Sequence, residues 1–371
     1  MQNFINLISW WPVLVAGGVT VLAATMLVVT QQWHGHLTND TTLGVQKFHT
    51  HPTPRVGGVA IVAGIVMGYL LLSPDQKSLL GPLILAGIPA FAVGLLEDVT
   101  KRVSVRTRLL TTMSCGVLGW AITGYAITNA NVVGLDWLLR FTAVSVLFTA
   151  FAVGGIANAI NIIDGFNGLS AGIVVIILAA FGAVTIALGD YDLAFVCLIL
   201  AGTVTGFLLV NWPLGKIFLG DGGAYFVGFA LAWLAVLMMQ RHVQVSAWAP
   251  MLVCGYPILE VGFSFVRKLK REGHHPGKPD RVHLHMLLNR RVSRKLYPRV
   301  GKALQNGLTS PFSWLCGLIP AGWAVIFYNN TAALVLGFVI CIALYQMLYV
   351  RLTQFRWGFS STSLITKAAT T

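Results

Sequence analysis

Four carboxylates in this sequence lie where long apolar stretches end: Glu97, Asp98, Asp164 and Asp221. Each is followed within a few residues by glycine or by a basic residue. Carboxylate oxygens bind magnesium and accept protons, whereas glycine N–H groups and basic side chains bind phosphate oxygens. An ionisable side chain held at membrane depth costs roughly 2.5–3.5 kcal/mol on insertion scales. These four residues are therefore candidates for metal-dependent chemistry on a phosphate.

The strongest signal comes from the segment that ends at Asp164. Asn158, Asn161 and Asp164 are spaced by three residues, so they share one face of a helix. A glycine-rich turn containing Asn167 follows. Asparagines also form hydrogen bonds between membrane helices, which is the structural alternative. Because three polar groups lead into a flexible turn, we favour a functional site.

A second segment, residues 211–225, contains Asp221 within the sequence Gly-Asp-Gly-Gly. Glycines beside an aspartate let backbone N–H groups approach phosphate oxygens while the carboxylate holds magnesium. The same four residues could form a simple turn. Because this segment and the Asn/Asp segment are expected on the same membrane face, we favour a metal ligand.

A third segment places Glu97 and Asp98 next to each other at the end of an apolar stretch. Adjacent carboxylates can bind a metal or act as a base, and each raises the pKa of its neighbour. A solvated loop in which they pair with Lys101 and Arg102 explains this segment equally well.

Two basic loops are suited to an anionic substrate, because guanidinium and imidazole groups match phosphate geometry. Two histidines and one aspartate make a poor zinc site, so the His-x-His spacing is not interpreted as metal binding. The candidates are Arg281, His283 and His285 in the long basic loop, and His49 and Arg55 in the first basic loop.

The composition indicates a membrane protein. Of the 371 residues, 56% are hydrophobic and 10% are charged, and the mean hydropathy is +0.76. No polar block is long enough for a separate domain, so residues 1–371 are interpreted as one membrane-embedded unit. The five cysteines lie in apolar stretches without a Cys-x-x-Cys pair, which favours small buried side chains over disulfides. The first Lys or Arg is Lys47, so the first apolar stretch is expected to be a retained span.

We predict an all-α bundle of about eleven transmembrane helices, because about 20 apolar residues cross the hydrocarbon core. The predicted spans are 11–30, 56–73, 78–96, 107–128, 138–159, 170–188, 192–210, 217–239, 246–267, 312–328 and 331–350.

An N-terminus outside and a C-terminus in the cytoplasm places all but three of the 25 Lys and Arg residues on the inner side. Lipid and topology thus account for the net charge of +13, and nucleic acid is not expected as a partner. The predicted cytoplasmic loops are about 31–55, 97–106, 160–169, 211–222 and 268–311. Four other carboxylates are expected in solvated outer turns: Asp75, Asp136, Asp190 and Asp192.

From about Phe48 to Leu288, five separated motifs resemble those of the polyprenyl-phosphate N-acetylhexosamine-1-phosphate transferases, of the glycosyltransferase family 4 type. The resemblance implies transfer of a sugar phosphate from a UDP-N-acetylhexosamine to polyprenyl (undecaprenyl) phosphate, with release of UMP. It implies Mg²⁺ as cofactor, with Mn²⁺ as a substitute, and a multi-pass protein of the bacterial inner membrane that initiates cell-envelope glycan synthesis. It leaves a homodimer open.

The resemblance also implies roles for individual residues, matched by position. Asp98 matches the proposed base or nucleophile, and Phe218 falls where an aromatic lies beside the uracil ring. The implied catalytic residues are Glu97, Asp98, Asp164, His283 and His285. Asp221 is the implied magnesium ligand, with Asp98 as a second candidate. The substrate-binding candidates are His49, Arg55, Asn158, Asn161, Asn167, Asn211, Phe218 and Arg281.

This sequence departs from the family pattern at four positions: Glu97 and Asn167 replace aspartates, Met286 replaces a histidine, and Lys101 replaces an aspartate of some members. The Pro-Asp-Arg-Val-His-Leu-His segment resembles the GlcNAc-type branch more than the phospho-N-acetylmuramoyl-pentapeptide branch, which remains the alternative. A transporter would place its polar residues near the membrane midplane, and a scaffold would not need four converging carboxylates.

Overall fold

The protein is mostly helical, and a computed structural model describes residues 10–40, 52–269 and 282–354. Two short strands, β1 (Asn39–Asp40) and β2 (Thr53–Pro54), accompany the helices. The helices are α1 (Trp11–Val29), α2 (Gln31–Thr38), α3 (Gly57–Leu71), α4 (Pro74–Thr100), α5 (Val105–Thr123), α6 (Leu135–Leu138), α7 (Thr142–Ile163), α8 (Leu169–Ala187), α9 (Tyr191–Asn211), α10 (Gly220–Arg241), α11 (Trp248–Val253), α12 (Gly255–Leu269), α13 (Leu284–Leu288), a π-helical turn (Asn289–Ser293), α14 (Arg294–Leu296), α15 (Lys302–Gly307), α16 (Ser310–Ile326) and α17 (Thr331–Thr353).

Within these described ranges, eight helical segments are long and apolar enough to cross a membrane. The prediction of an all-α polytopic membrane protein is therefore confirmed in its coarse form. The count of eleven spans and the orientation of the chain stay predictions. The eight segments are α1, α4, α7, α8, α9, α10, residues 302–326 with α15 and α16, and α17.

The other three predicted spans correspond to helices that differ from a simple span. Helix α3 has only 15 residues, and α5 carries Arg106 and Arg108 near its start. The predicted span 246–267 is divided between α11 and α12 at Cys254. Pro257 lies in the first turn of α12, where its missing N–H group costs no helical hydrogen bond.

Helix α10 lies at the centre of the bundle and is buried along almost all of its length. It packs against α3, α4 and α7. Glycine makes these contacts close: a Cβ atom at Gly228 would lie 2.6 Å from the Cα atom of Ala157. Small residues let helix backbones approach in membranes, where packing drives association. The first turn of α10 is therefore held by three neighbouring helices.

The two strands pair antiparallel, and backbone hydrogen bonds from the end of β2 and the start of α3 reach the chain before α10. The backbone N–H of Phe218 donates to the carbonyl of Pro54 at 2.8 Å, and that of Gly57 donates to the carbonyl of Phe218 at 2.9 Å. Arg55 lies between these hydrogen bonds. The small sheet thus departs from a purely helical expectation and brings the first basic loop to α10.

Asp190 corrects one expectation, because it is 7% exposed and not solvated. Its carboxylate accepts hydrogen bonds from Arg241 at 2.7 and 3.1 Å, from His242 at 2.8 Å and from the N–H of Leu193 at 3.2 Å. Burial alone would raise the pKa of Asp190, but these hydrogen bonds hold it below its ordinary value. Asp190 joins the start of α9 to the end of α10.

Candidate active site

Asp221, in the first turn of α10, is the centre of a cluster of charged side chains. Its Oδ1 atom accepts hydrogen bonds from Arg55 Nη2 at 2.9 Å and from Asn161 Nδ2 at 3.0 Å. Its Oδ2 atom accepts a short hydrogen bond from Arg108 Nη1. The donors come from the first basic loop, from α7 and from α5. The fold thus brings together Arg55, Asn161 and Asp221, which the sequence had placed in three separate motifs.

Asp98, near the end of α4, faces the same turn of α10 and is 1% exposed. Its two carboxylate oxygens accept hydrogen bonds from the backbone N–H groups of Asp221 and Gly222, each at 2.9 Å. Arg55 Nη2 lies 3.5 Å from Asp98 Oδ1. A carboxylate is favoured at a helix N-terminus, where N–H groups lack helical partners. Asp98 therefore fixes the orientation of the turn that carries Asp221.

Glu97 points to the other side of the α4 end. Its Oε2 atom accepts a hydrogen bond from the N–H of Val103 at 2.8 Å, and its Oε1 atom lies 4.0 Å from Arg108 Nη1. Lys101 Nζ donates to the carbonyl of Asp98 at 2.5 Å, and burial lowers the pKa of Lys101. The acidic pair thus has two different environments: a helix N-terminus for Asp98 and a loop with Arg108 for Glu97.

Asp164 lies just after α7 and belongs to the electrostatic surroundings of the cluster. Ser170 donates a hydrogen bond to its Oδ1 atom at 2.5 Å. Burial raises the pKa of Asp164 to about 6, while Ser170 and the charge of Arg55 oppose the rise. Asp164 is therefore suited to exchange a proton near neutral pH.

Three predicted asparagines have structural partners instead. Asn158 Nδ2 donates to Thr112 Oγ1 at 3.1 Å, which joins α7 to α5 in the way that the structural alternative described. Asn167 Nδ2 donates to the carbonyl of Pro213 at 3.0 Å, and Asn211 Nδ2 donates to that of Ile217 at 2.6 Å. Direct substrate binding by Asn167 or Asn211 would require these hydrogen bonds to break. Their position indicates that they hold the loops around the site.

The two histidines lie side by side, next to the turn after Asp164. The rings of His283 and His285 are parallel with centroids 5.4 Å apart. His285 also contacts Phe166 edge to face at 5.4 Å, and a Cβ atom at Gly165 would lie 3.4 Å from its Nε2 atom. Burial lowers the pKa of His285 to about 4, so it is neutral at physiological pH. The fold thus brings the histidine motif to the Asn/Asp motif.

Three predicted site residues remain, Phe218, His49 and Arg281, and two residues near the site were not predicted. Phe218 is half-buried in the loop before α10, beside Arg55 in the backbone pairing described above. His49 and Arg281 lie outside the described residues. Sequence reasoning missed Arg108, which was counted only as a topological charge, and Glu260, a buried acceptor for His283 Nδ1 at 2.8 Å. A charged residue within an apolar stretch was the signal for Glu260.

Glycine makes the close approach of α4 to the first turn of α10 possible. A Cβ atom at Gly94 would lie 2.4 Å from the N atom of Gly222 and 2.5 Å from the carbonyl carbon of Asp221. Because these are backbone atoms, they cannot move without shifting Asp221.

We expect Gly94→Ala to lower the catalytic activity of this site by about a hundredfold, the effect of a displacement of roughly 1 Å at a reacting group. Gly81→Ala in the same helix is the control, because its Cβ atom would make an ordinary contact with Tyr69 at 3.5 Å. The measurement compares initial rates and thermal unfolding of the purified variants. Equal rates for the two variants would show that the approach of α4 does not position Asp221.

The residues at the cluster fit a magnesium ion bound together with phosphates. In the described part of the chain, no three His, Cys, Asp or Glu side chains lie together as a metal site. Magnesium typically takes one or two carboxylates and completes its shell with water and substrate phosphates. Asp221, with Asp98 of α4 facing the same turn of α10, offers such hard oxygen ligands.

Comparison with known proteins agrees with this architecture. Residues 80–239 match the family model of glycosyl transferase family 4. The chain is 27% identical over 241 residues to a probable undecaprenyl-phosphate N-acetylglucosaminyl 1-phosphate transferase of Bacillus subtilis, covering 65% of this chain and 66% of that protein. It is 29% identical over 330 residues to a decaprenyl-phosphate N-acetylglucosaminephosphotransferase of Mycobacterium leprae, covering 79% and 78%.

The described chain is a multi-pass helical bundle that gathers carboxylates and arginines at the ends of its helices, and the relatives to which it is similar are named as transferases. Residues 80–239 are similar to glycosyl transferase family 4, in agreement with the resemblance of the motifs in the sequence.

Proposed function

We propose that this protein transfers N-acetylhexosamine-1-phosphate from a UDP-sugar to a polyprenyl phosphate and releases UMP. The observation that carries the proposal is the environment of Asp221, which meets Arg55, Arg108 and Asn161 beside the N-terminus of α10. Such a site suits a diphosphate, because guanidinium groups bind phosphate oxygens. The similarity to enzymes named for undecaprenyl- and decaprenyl-phosphate substrates supports the same reaction.

The reaction must bring two anions together. An oxygen of the lipid phosphate, a monoester with a charge of about −1.5 to −2, attacks the phosphorus that carries the sugar. The bond from that phosphorus to the bridging oxygen breaks, and UMP leaves with the electron pair. Arg55 and Arg108 are the cations of this chain that reduce the repulsion. Asp98 removes any remaining proton from the lipid phosphate or, in a two-step scheme, attacks phosphorus first.

Asp221, with Asp98 as a second ligand, would hold Mg²⁺, for which Mn²⁺ is a chemical substitute. When bound, the metal supplies positive charge to the diphosphate and the leaving UMP. Asn161 donates to Asp221 and accepts a hydrogen bond from Tyr225 at 3.3 Å, which fixes its amide. These hydrogen bonds keep the carboxylate of Asp221 in one orientation before substrate binds.

The lipid tail of the acceptor needs an apolar surface that leads to the site. A cavity of about 550 Å³ lies between α7, α10, α11 and α12. Its lining is almost wholly apolar and includes Phe148, Ile156, Trp248 and Ile258. Helix α7 forms one wall of the cavity and carries Asn161 at its far end. We assign the first isoprene units of the acceptor to this cavity.

We place the site at the cytoplasmic face of a bacterial inner membrane. Arg55, Lys101 and Arg108 all lie around the site end of the helices, and inner loops are enriched in Lys and Arg. This face supplies soluble sugar nucleotides and the membrane supplies the lipid acceptor. The product would be the first lipid-linked sugar of a cell-envelope glycan.

A substrate panel tests the reaction and the sugar. We expect purified protein in detergent to release UMP from UDP-N-acetylhexosamines only when polyprenyl phosphate and Mg²⁺ are both present. The motif around His283 and His285 favours a simple N-acetylhexosamine over UDP-N-acetylmuramoyl pentapeptide. Product analysis by mass spectrometry should identify the lipid diphosphate sugar.

Two outcomes would contradict this assignment. Turnover of the pentapeptide nucleotide alone would move the protein to the other branch and preserve the reaction class. No UMP from any nucleotide in protein that is folded and lipid-supplied would reject the transferase function.

A further inference from the structure

Glu260 is a fully buried carboxylate in α12 that sequence reasoning placed inside a membrane span. Its Oε1 atom accepts hydrogen bonds from His283 Nδ1 at 2.8 Å and from the N–H of Leu284 at 3.0 Å. Its Oε2 atom accepts one from the hydroxyl of Tyr345 at 3.0 Å. A buried charge persists only when partners satisfy it, and here three donors do so.

These hydrogen bonds determine the chemical form of His283. A carboxylate can only accept hydrogen bonds, so the proton of the His283 ring must lie on Nδ1. Nε2 is then the other polar atom of the ring, an acceptor when the ring is neutral and a donor when it is charged. A buried aspartate orients the histidine of a Ser-His-Asp triad in the same way.

The backbone of the motif is held by the same carboxylate. Leu284 is the first residue of α13, and His283 precedes it with extended φ and ψ angles of −62° and 151°. Because Glu260 binds both the ring of His283 and the N–H of Leu284, one carboxylate holds the ring in place relative to the start of α13. The parallel ring of His285 then lies between His283 and the turn at Phe166.

We propose that Glu260 is a positioning residue for the transfer reaction, which holds His283 so that Nε2 contacts the diphosphate of the sugar nucleotide. This inference rests on the proposed function. Glu260 touches no reacting atom itself and acts through His283. The hydrogen bond that Glu260 accepts from Tyr345 joins α12 to α17 and does not involve His283.

The tautomer of His283 tests the inference without any substrate. In wild-type protein labelled with ¹⁵N in the histidine rings, we expect the His283 signals of an Nδ1–H tautomer. The His283→Asn variant assigns those signals by their loss. A proton on Nε2 with a bare Nδ1 would overturn the inference, because Nδ1 could not donate to Glu260. This measurement remains decisive if no sugar nucleotide proves to be a substrate.

Two variants separate positioning from helix packing. We expect Glu260→Gln to lower kcat by about ten- to a hundredfold, as the loss of a partner behind a functional histidine does, with little change in KM. Tyr345→Phe removes the third hydrogen bond and leaves the histidine link, so its kcat should stay near the wild-type value. An equal loss of kcat in both variants would show that Glu260 only joins helices. If Glu260→Gln does not fold, the wild-type tautomer decides.

Discussion

Replacing Asp221 by Asn should lower transfer by at least about a hundredfold, the usual scale for removing one group that stabilises charge in a transition state. The carboxylate is the common partner of Arg55, Arg108 and Asn161. An amide keeps the size of the side chain but removes the negative charge that a divalent cation requires. The measurement is UMP release over a range of Mg²⁺ concentrations, by protein whose thermal unfolding is followed in parallel.

The fold should survive this change. The side chains of Arg55 and Arg108 are 25% and 17% exposed, so water can solvate them when the carboxylate is lost. Asp190→Asn is the matched control, because Asp190 is also a buried carboxylate that forms an ion pair with an arginine. That arginine, Arg241, lies in α10, the helix that also carries Asp221. We expect that control to lower the unfolding temperature and to retain transfer. Activity of Asp221→Asn within tenfold of wild type at ordinary Mg²⁺ would reject Asp221 as the metal ligand.

The sequence predicted that Asp98, Asn161 and Asp221 lie close together, because the hydropathy pattern shows at which membrane face each helix ends. Apolar stretches of membrane length alternate in direction, so residues after every second stretch meet at one face. Hydrogen-bonding partners do not follow from that rule. For instance, nothing in the sequence predicts that Asn167 lies next to Asn306, which is 139 positions away. The backbone N–H of Asn167 donates a hydrogen bond to Asn306 Oδ1 at 2.8 Å. This hydrogen bond depends on how the two loops pack against each other, which hydropathy does not determine.

Arg108 and Glu260 were missed for opposite reasons. Arg108 lies among several basic residues at the start of a helix, where topology alone explains a positive charge. Only the fold distinguishes it from Arg106, which is exposed. Glu260 could have been found, because a carboxylate inside an apolar stretch is costly and therefore a functional candidate. The division between α11 and α12 was likewise signalled by Pro257, since proline favours the first turn of a helix.

The adjacent carboxylates Glu97 and Asp98 should differ in how strictly they are required. We expect Asp98→Glu to lower transfer by about a hundredfold, because a shift of roughly 1 Å at a reacting group has that effect. The carboxylate of Asp98 accepts hydrogen bonds from two backbone N–H groups of α10, each with an N···O distance of 2.9 Å. A glutamate side chain, which is longer by one methylene group, cannot keep both hydrogen bonds from the same backbone position. The turn that carries Asp221 would then move.

Glu97→Asp should be tolerated within about tenfold, a smaller loss than misplacing a reacting group causes. Glu97 accepts one hydrogen bond from the loop residue Val103 and lies 4.0 Å from Arg108, an interaction that depends on charge more than on exact reach. The two variants exchange the same pair of side chains, so each controls for the other. Initial rates of UMP release at saturating substrates, with unfolding temperatures, make the comparison. Equal losses at both positions would show that Glu97 is held as strictly as Asp98, and that both bind the metal or the substrate directly.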